Sequence, residues 1–108
     1  MPDLYTLDLD GDPVPCDNLA AWAALIAGTR QVARTQVAGG VVSTIFLGYA
    51  PAHCPALMFE TMTFGVPGLD GEQDRYATLA EAQAGHRRAV AAAQAQLDAA
   101  RAGQPAPR

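Results

Sequence analysis

The residues of this 108-residue chain that could do chemistry are two histidines, two cysteines and a scatter of carboxylates. His53 and Cys54 stand side by side in "APAHCPA", between two apolar runs. A zinc site needs four ligands, and adjacent side chains serve one tetrahedral ion poorly. Cys16 and His86 would have to converge from the opening loop and the final helix to complete a Cys2His2 set, and no C-x2-C or H-x3-H pair exists. A Cys-His catalytic pair would need an orienting acid and an oxyanion site that no local pattern announces. The segment therefore reads as a proline-braced strand connection, with Cys54 a small apolar filler. No metal or cofactor is expected.

A second candidate is "LDLDGD" at Leu7 to Asp12. A strand ending in D-x-D-G resembles the first motif of haloacid-dehalogenase-like phosphotransferases, with Asp8 as nucleophile and Asp10 as acid. The departures are decisive: Asp12 stands where that motif has Thr or Ser, the chain is too short for the doubly wound fold, and there is no lysine. The same aspartates match the first, third and fifth positions of a calcium loop, but Pro13 and Leu19 occupy the positions that need glycine and glutamate. A solvated strand-to-turn segment is the default reading, with a weak surface cation site as the alternative.

His86 and Glu60 form the third candidate. A helix-borne imidazole and a strand-borne carboxylate are expected to meet at a helix–sheet interface, with Arg34 or Tyr76 nearby. Such a pair fixes packing, because buried polar groups must find partners, or lines a ligand or partner site with Arg34, Thr44, Arg75 and Tyr76, or is exposed to solvent. A last group is acidic: Asp8, Asp10 and Asp12, then Asp70, Glu72 and Asp74, give two negative surface patches. Such patches can meet a basic groove, and they also keep small proteins soluble.

The totals bound these options. One core can be built from 108 residues, not a cofactor domain plus a substrate domain. Half the residues are apolar and 17% are charged, the balance of a globular chain. A net charge of −4 disfavours direct nucleic-acid binding, which requires a basic stripe. All seven basic residues are arginines, so Schiff-base chemistry and a Walker-type lysine are excluded. No apolar run is long enough to span a membrane and the opening segment is acidic, so a cytoplasmic location is expected, with Cys16 and Cys54 as thiols.

The elements that would position these residues follow from pattern. Leu4 to Leu9 alternates as a strand that stops at Gly-Asp-Pro. Asp17 is placed to cap a helix carrying Leu19, Trp22, Ala23 and Ile26 on one face, ended by Gly28. Gly39-Gly40 separates two β-rich runs as a hairpin, and "ALMFETMTFG" returns as a third strand. Ile45, Leu47 and Tyr49 on one strand, with Met58, Met62 and Phe64 on its neighbour, are expected to face the core. "VPGLDGEQDRYA" reads as a polar connection. Thr78 and Glu81 form a capping box that opens a long helix with Leu79, His86, Val90, Ala93 and Leu97 on one face. The order β-α-β-β-β-α predicts an α+β fold, an antiparallel sheet with two helices packed on one face. Residues 1–102 form a single domain in this reading, and 103–108 a disordered tail.

Five segments carry a resemblance: "PVPCDNLAAWA" from Pro13, "RQVARTQV" from Arg30, "VSTIFLG" from Val42, "FETMTFG" from Phe59 and "DGEQDRYATLAEAQAGH" from Asp70. On these the chain resembles a family of small, functionally uncharacterised proteins from high-GC bacteria and their phages and mobile elements. The His53–Cys54 loop departs from the family, being shorter than its usual glycine-rich connection. Arg34, Thr35, Ser43, Thr44, Glu60, Thr61, Arg75, Tyr76 and His86 all lie inside matching segments. The resemblance implies a phage or prophage setting and no reaction. The expected role is a non-enzymatic binding protein, foremost an inhibitor of a bacterial defence complex acting by occupying a protein surface. The alternatives are a protein that sequesters a small, nucleotide-like ligand between sheet and last helix, a virion accessory protein, or an unrecognised hydrolase. A homodimer through the last helix or a sheet edge is also expected.

Overall fold

The computed structural model describes residues 3–28, 30–50 and 57–103. His53, Cys54 and residues 104–108 lie outside them, and with them the readings of the connecting loop, the Cys16–Cys54 redox state and the tail.

Strand β1 (Asp3–Leu7) turns at Asp8–Asp12 and returns as β2 (Pro13–Pro15). The two-residue β5 (Tyr49–Ala50) pairs with the other edge of β1, giving a small antiparallel sheet in the order β2-β1-β5. Between them come helix α1 (Leu19–Ala27), strand β3 (Gln31–Val37) and strand β4 (Gly40–Phe46). Strands β6 (Phe59–Phe64) and β7 (Gln73–Tyr76) complete a second antiparallel sheet ordered β3-β4-β6-β7. The 24-residue helix α2 (Leu79–Ala102) closes the described chain and packs across all four strands of that sheet. The architecture is α+β, as the alternation of patterns predicts.

The details depart from expectation in several places. The third strand gains a partner, because β7 lies inside the segment read as a polar connection. Its only buried residue is Tyr76, so no apolar alternation marks it. Helix α1 does not share the long helix's sheet. It packs against β1, its Trp22 Nε1 donates to the Gly48 carbonyl at 2.7 Å, and Leu25 reaches the larger core. Its cap is Asn18, whose side chain accepts from the Ala21 N–H, rather than Asp17.

The core forms at the α2 side of the larger sheet in two clusters. Phe46, Met58, Phe59, Tyr76 and Ala82 meet at one end, with the Phe46 and Phe59 rings tilted at a 5.5 Å centroid separation. Val37, Val42, Val66 and Ala93 meet at the other. The helical face through Leu79, His86, Val90, Ala93 and Leu97 is the one applied to the sheet. Thr78 caps α2 as the sequence indicates: its hydroxyl accepts from the Glu81 N–H and donates to the Glu81 carboxylate.

Met58 is buried in the core as expected, but the phase of β4 and β6 is opposite to the expected one. Val42, Thr44 and Phe46 of β4, with Phe59, Thr61 and Thr63 of β6, face the helix and are buried. Ile45, Met62 and Phe64 face the other way, and Phe64 keeps 43% of its surface exposed. Both strands carry large apolar residues on both faces, so alternation alone does not choose between them. Helix α2 chooses, because its one imidazole needs hydroxyl partners.

Candidate functional site

Three threonines from three adjacent strands point at α2. Thr35 on β3, Thr44 on β4 and Thr61 on β6 occupy inward positions, and Thr44 and Thr61 are direct cross-strand partners. His86 enters from the helix. Its Nε2 lies 2.9 Å from the Thr35 hydroxyl and its Nδ1 lies 2.8 Å from that of Thr44, which in turn bonds to Thr61. The chain of groups can be ordered two ways. Either Nε2–H donates to Thr35 while Thr44 donates to Nδ1 and Thr61 to Thr44, or every donor reverses. Both orders satisfy a neutral imidazole completely. Among the described residues no buried side-chain polar atom lacks a partner.

The environment favours that neutral form. His86 is 6% exposed, and burial lowers its pKa below the ordinary 6.5. The unfolded chain therefore binds a proton that the folded chain resists. The contribution to stability is complete above pH 6.5 and is lost as pH falls below it. The melting temperature of the wild type is expected to fall more steeply between about pH 7.5 and about pH 5.5 than that of His86→Gln, which cannot titrate there. Equal slopes in a thermal-melt series would assign the dependence elsewhere.

Glu60 is not part of this chain of groups. It points to the opposite face of the sheet, where its Oε2 accepts from Arg75 Nε at 3.0 Å. The expected His86–Glu60 pair is therefore replaced by His86 with threonines on one face and Glu60 with Arg75 on the other. Arg34 shares the outer face with Glu60 and Arg75, in line with Ser43 and Met62. Tyr76 stays on the helix side, buried beside Phe59 and over Gly85. A pocket that combines Arg34, Glu60, Tyr76 and His86 between sheet and helix does not form, because the first two lie on the outer face of the sheet and the last two on its helix side. Reasoning from sequence does not link Thr35 to His86 or Thr61 to Thr44, and it assigns the outward Ile45, Met62 and Phe64 to the core. The recurrence of threonine at every second position, Thr61 and Thr63 beside Thr44, was the available signal.

The outer face is where the surface chemistry gathers. Two hollows adjoin on it and share Phe64. One, of about 320 Å³, is lined by Arg34, Gln36, Gly39, Gly40, Val41, Phe64 and Gly65. The other, of about 70 Å³, is lined by Ser43, Ile45, Glu60, Met62 and Phe64. Arg75 is neutralised by Glu60, and no carboxylate among the described residues pairs with Arg34. The face is thus an apolar strip with one unpaired cation on an otherwise acidic protein.

The acidic residues divide by use. Asp8 accepts from the backbone N–H groups of Asp10 and Asp12, closing its own turn. Asp12 accepts from the Leu79 N–H at the start of α2, and Asp70 from Gly65. Asp10 is left pointing to solvent, while Glu72 and Asp74 border a hollow of about 130 Å³ beside Thr61 and Thr63. Half of the acidic surface is therefore engaged in holding turns. Among the described residues no three His, Cys, Asp or Glu side chains converge as a metal would require. None of their helices is long and apolar enough to cross a membrane.

The fold and the two faces define an α+β module with a polar chain sealed on one side of its sheet and an apolar, cationic strip on the other. No family model, no curated protein and no solved structure matches the chain.

Proposed function

We propose that the chain is a non-enzymatic binding protein that covers a partner's surface with the outer face of its larger sheet. The observation that carries this reading is the outward phase of Ile45, Met62 and Phe64 beside the unpaired Arg34. In an antiparallel sheet backed by one helix, the other face is ordinarily polar. Contiguous apolar residues there, bordered by polar ones, mark interaction surfaces. The partner surface that fits presents apolar side chains and a carboxylate for Arg34. His86, the histidine among the described residues, is buried and hydrogen-bonded to Thr35 and Thr44 through both ring nitrogens, which favours a packing role for it over catalysis.

The resemblance to phage and mobile-element proteins supports a host defence complex as the partner, inhibited by occupation of its surface. The test is an affinity capture from a phage-infected host with wild type, Met62→Arg and Arg87→Glu, the last altering the exposed side of α2. The expected result is a defence-complex subunit retained by wild type and Arg87→Glu and lost with Met62→Arg, while all three melt alike. Equal recovery with Met62→Arg would overturn the assignment of this face.

A further inference from the structure

The turn between β1 and β2 presents Leu9 with its side chain fully exposed. A lone exposed leucine is ordinary, but this one is held. Asp8 fixes the turn through two backbone N–H groups at 2.9 Å each. Asp12 ties its far side to α2 through the Leu79 N–H at 3.0 Å, and Gly11, at φ +83°, lets the backbone lie against the Leu79 side chain. With Asp8 and Asp12 so engaged, the tip offers an apolar side chain and one free carboxylate, Leu9 and Asp10. Little conformational freedom remains to be lost when such a tip docks.

The complementary surface is on the same chain. The hollow of about 320 Å³ joins the Phe64 ring and Val41 to the unpaired Arg34. The two features cannot meet within one molecule. The Leu9 turn sits at the Leu79 end of α2, with the Phe46–Phe59–Tyr76 cluster. The hollow lies at the Gly39–Gly40 end of the sheet, with Val37, Val42 and Ala93.

We infer that two copies of the chain associate head to tail, Leu9 of one seating against Phe64 and Val41 of the next while its Asp10 pairs with Arg34. The charges are opposite, one on each side, and the apolar parts match. A contact between different patches of identical chains is heterologous. It goes beyond the partner-binding role and uses the same hollow, so a partner and a second copy exclude each other.

Sedimentation of the full chain over a concentration series tests this with no partner present, so failure here leaves the partner-binding role standing, and failure of the capture experiment leaves this one standing. The wild type is expected to rise with concentration above the 11.3 kDa of one chain. Leu9→Ser is expected to weaken association by about tenfold to a hundredfold, the loss of one buried leucine side chain. Arg34→Glu, which turns attraction at Asp10 into repulsion, is expected to weaken it as well. Mixing the two variants is the decisive arm. The intact tip of Arg34→Glu fits the intact hollow of Leu9→Ser, so the mixture is expected to form pairs where each variant alone sediments as single chains. A wild type at 11.3 kDa throughout, variants that associate like the wild type, or a mixture that stays unpaired would each overturn the inference.

Discussion

Phe59→Ala is expected to destabilise the protein by about 3–5 kcal/mol, whereas Phe64→Ala, five residues along the same strand, is expected to cost about 1 kcal/mol or less. Phe59 has no exposed surface, lies against Phe46 and sits opposite Tyr76 on β7. Truncating it opens a cavity that two other aromatic rings border and cannot fill. Phe64 points away from α2 and is 43% exposed, so water already occupies part of its surroundings. Urea unfolding of the two variants separates them. Equal losses would mean that the outer face is buried in the isolated chain, contrary to the arrangement described above. The binding experiments should invert the order, since Phe64 and not Phe59 lines both outer hollows.

Gly85→Ala is expected to destabilise by about 2 kcal/mol, although the same change in an unobstructed helix interior stabilises by about 1 kcal/mol. A Cβ at position 85 would fall within the Tyr76 ring. The ring cannot withdraw easily, because Tyr76 is held in β7 opposite Phe59 and is 8% exposed. The glycine is therefore the site at which helix and edge strand approach. A double-mutant cycle isolates the effect: in a Tyr76→Ala background, Gly85→Ala should become neutral or stabilising. Additive losses in the cycle would place the cost in the helix backbone rather than in the contact.

Much of this fold is legible in the residues. The Thr78–Glu81 capping box, the α2 face through His86 and Ala93, and the hairpin at Gly39 all follow from spacing and turn chemistry. Gly39 adopts φ +79°, the conformation a tight turn demands. What could not be read is which way the strands face. Val41 and Ile45 look as suitable for a core as Val42 and Phe46, and Met62 and Phe64 as suitable as Phe59. The answer depends on a helix that begins 15 residues beyond the end of β6, whose imidazole requires hydroxyls rather than hydrocarbon. The same inversion divided the candidate site. Glu60 and His86 are expected from sequence to meet each other, but each has its own partners, Arg75 and the threonines, on opposite faces. The strand at Gln73–Tyr76 stayed hidden for a simpler reason, since three of its four residues are polar and exposed.

The threonine–histidine chain has a consequence for how this sequence avoids misassembly. In a sheet with hydrocarbon on both faces, a strand that slips by one residue still buries apolar surface, so slippage is weakly opposed by burial alone. Here a slip of β4 would bring Ser43 or Ile45 to the place of Thr44, and a slip of β6 would bring Glu60 or Met62 to the place of Thr61. After a slip of β4 the imidazole would face hydrocarbon or a misplaced hydroxyl, and after a slip of β6 the Thr44 hydroxyl would face hydrocarbon or a desolvated carboxylate; an unpartnered buried polar group costs about 1–3 kcal/mol. One helical residue thus proofreads the alignment of three strands, and leaves the outer face free to be apolar.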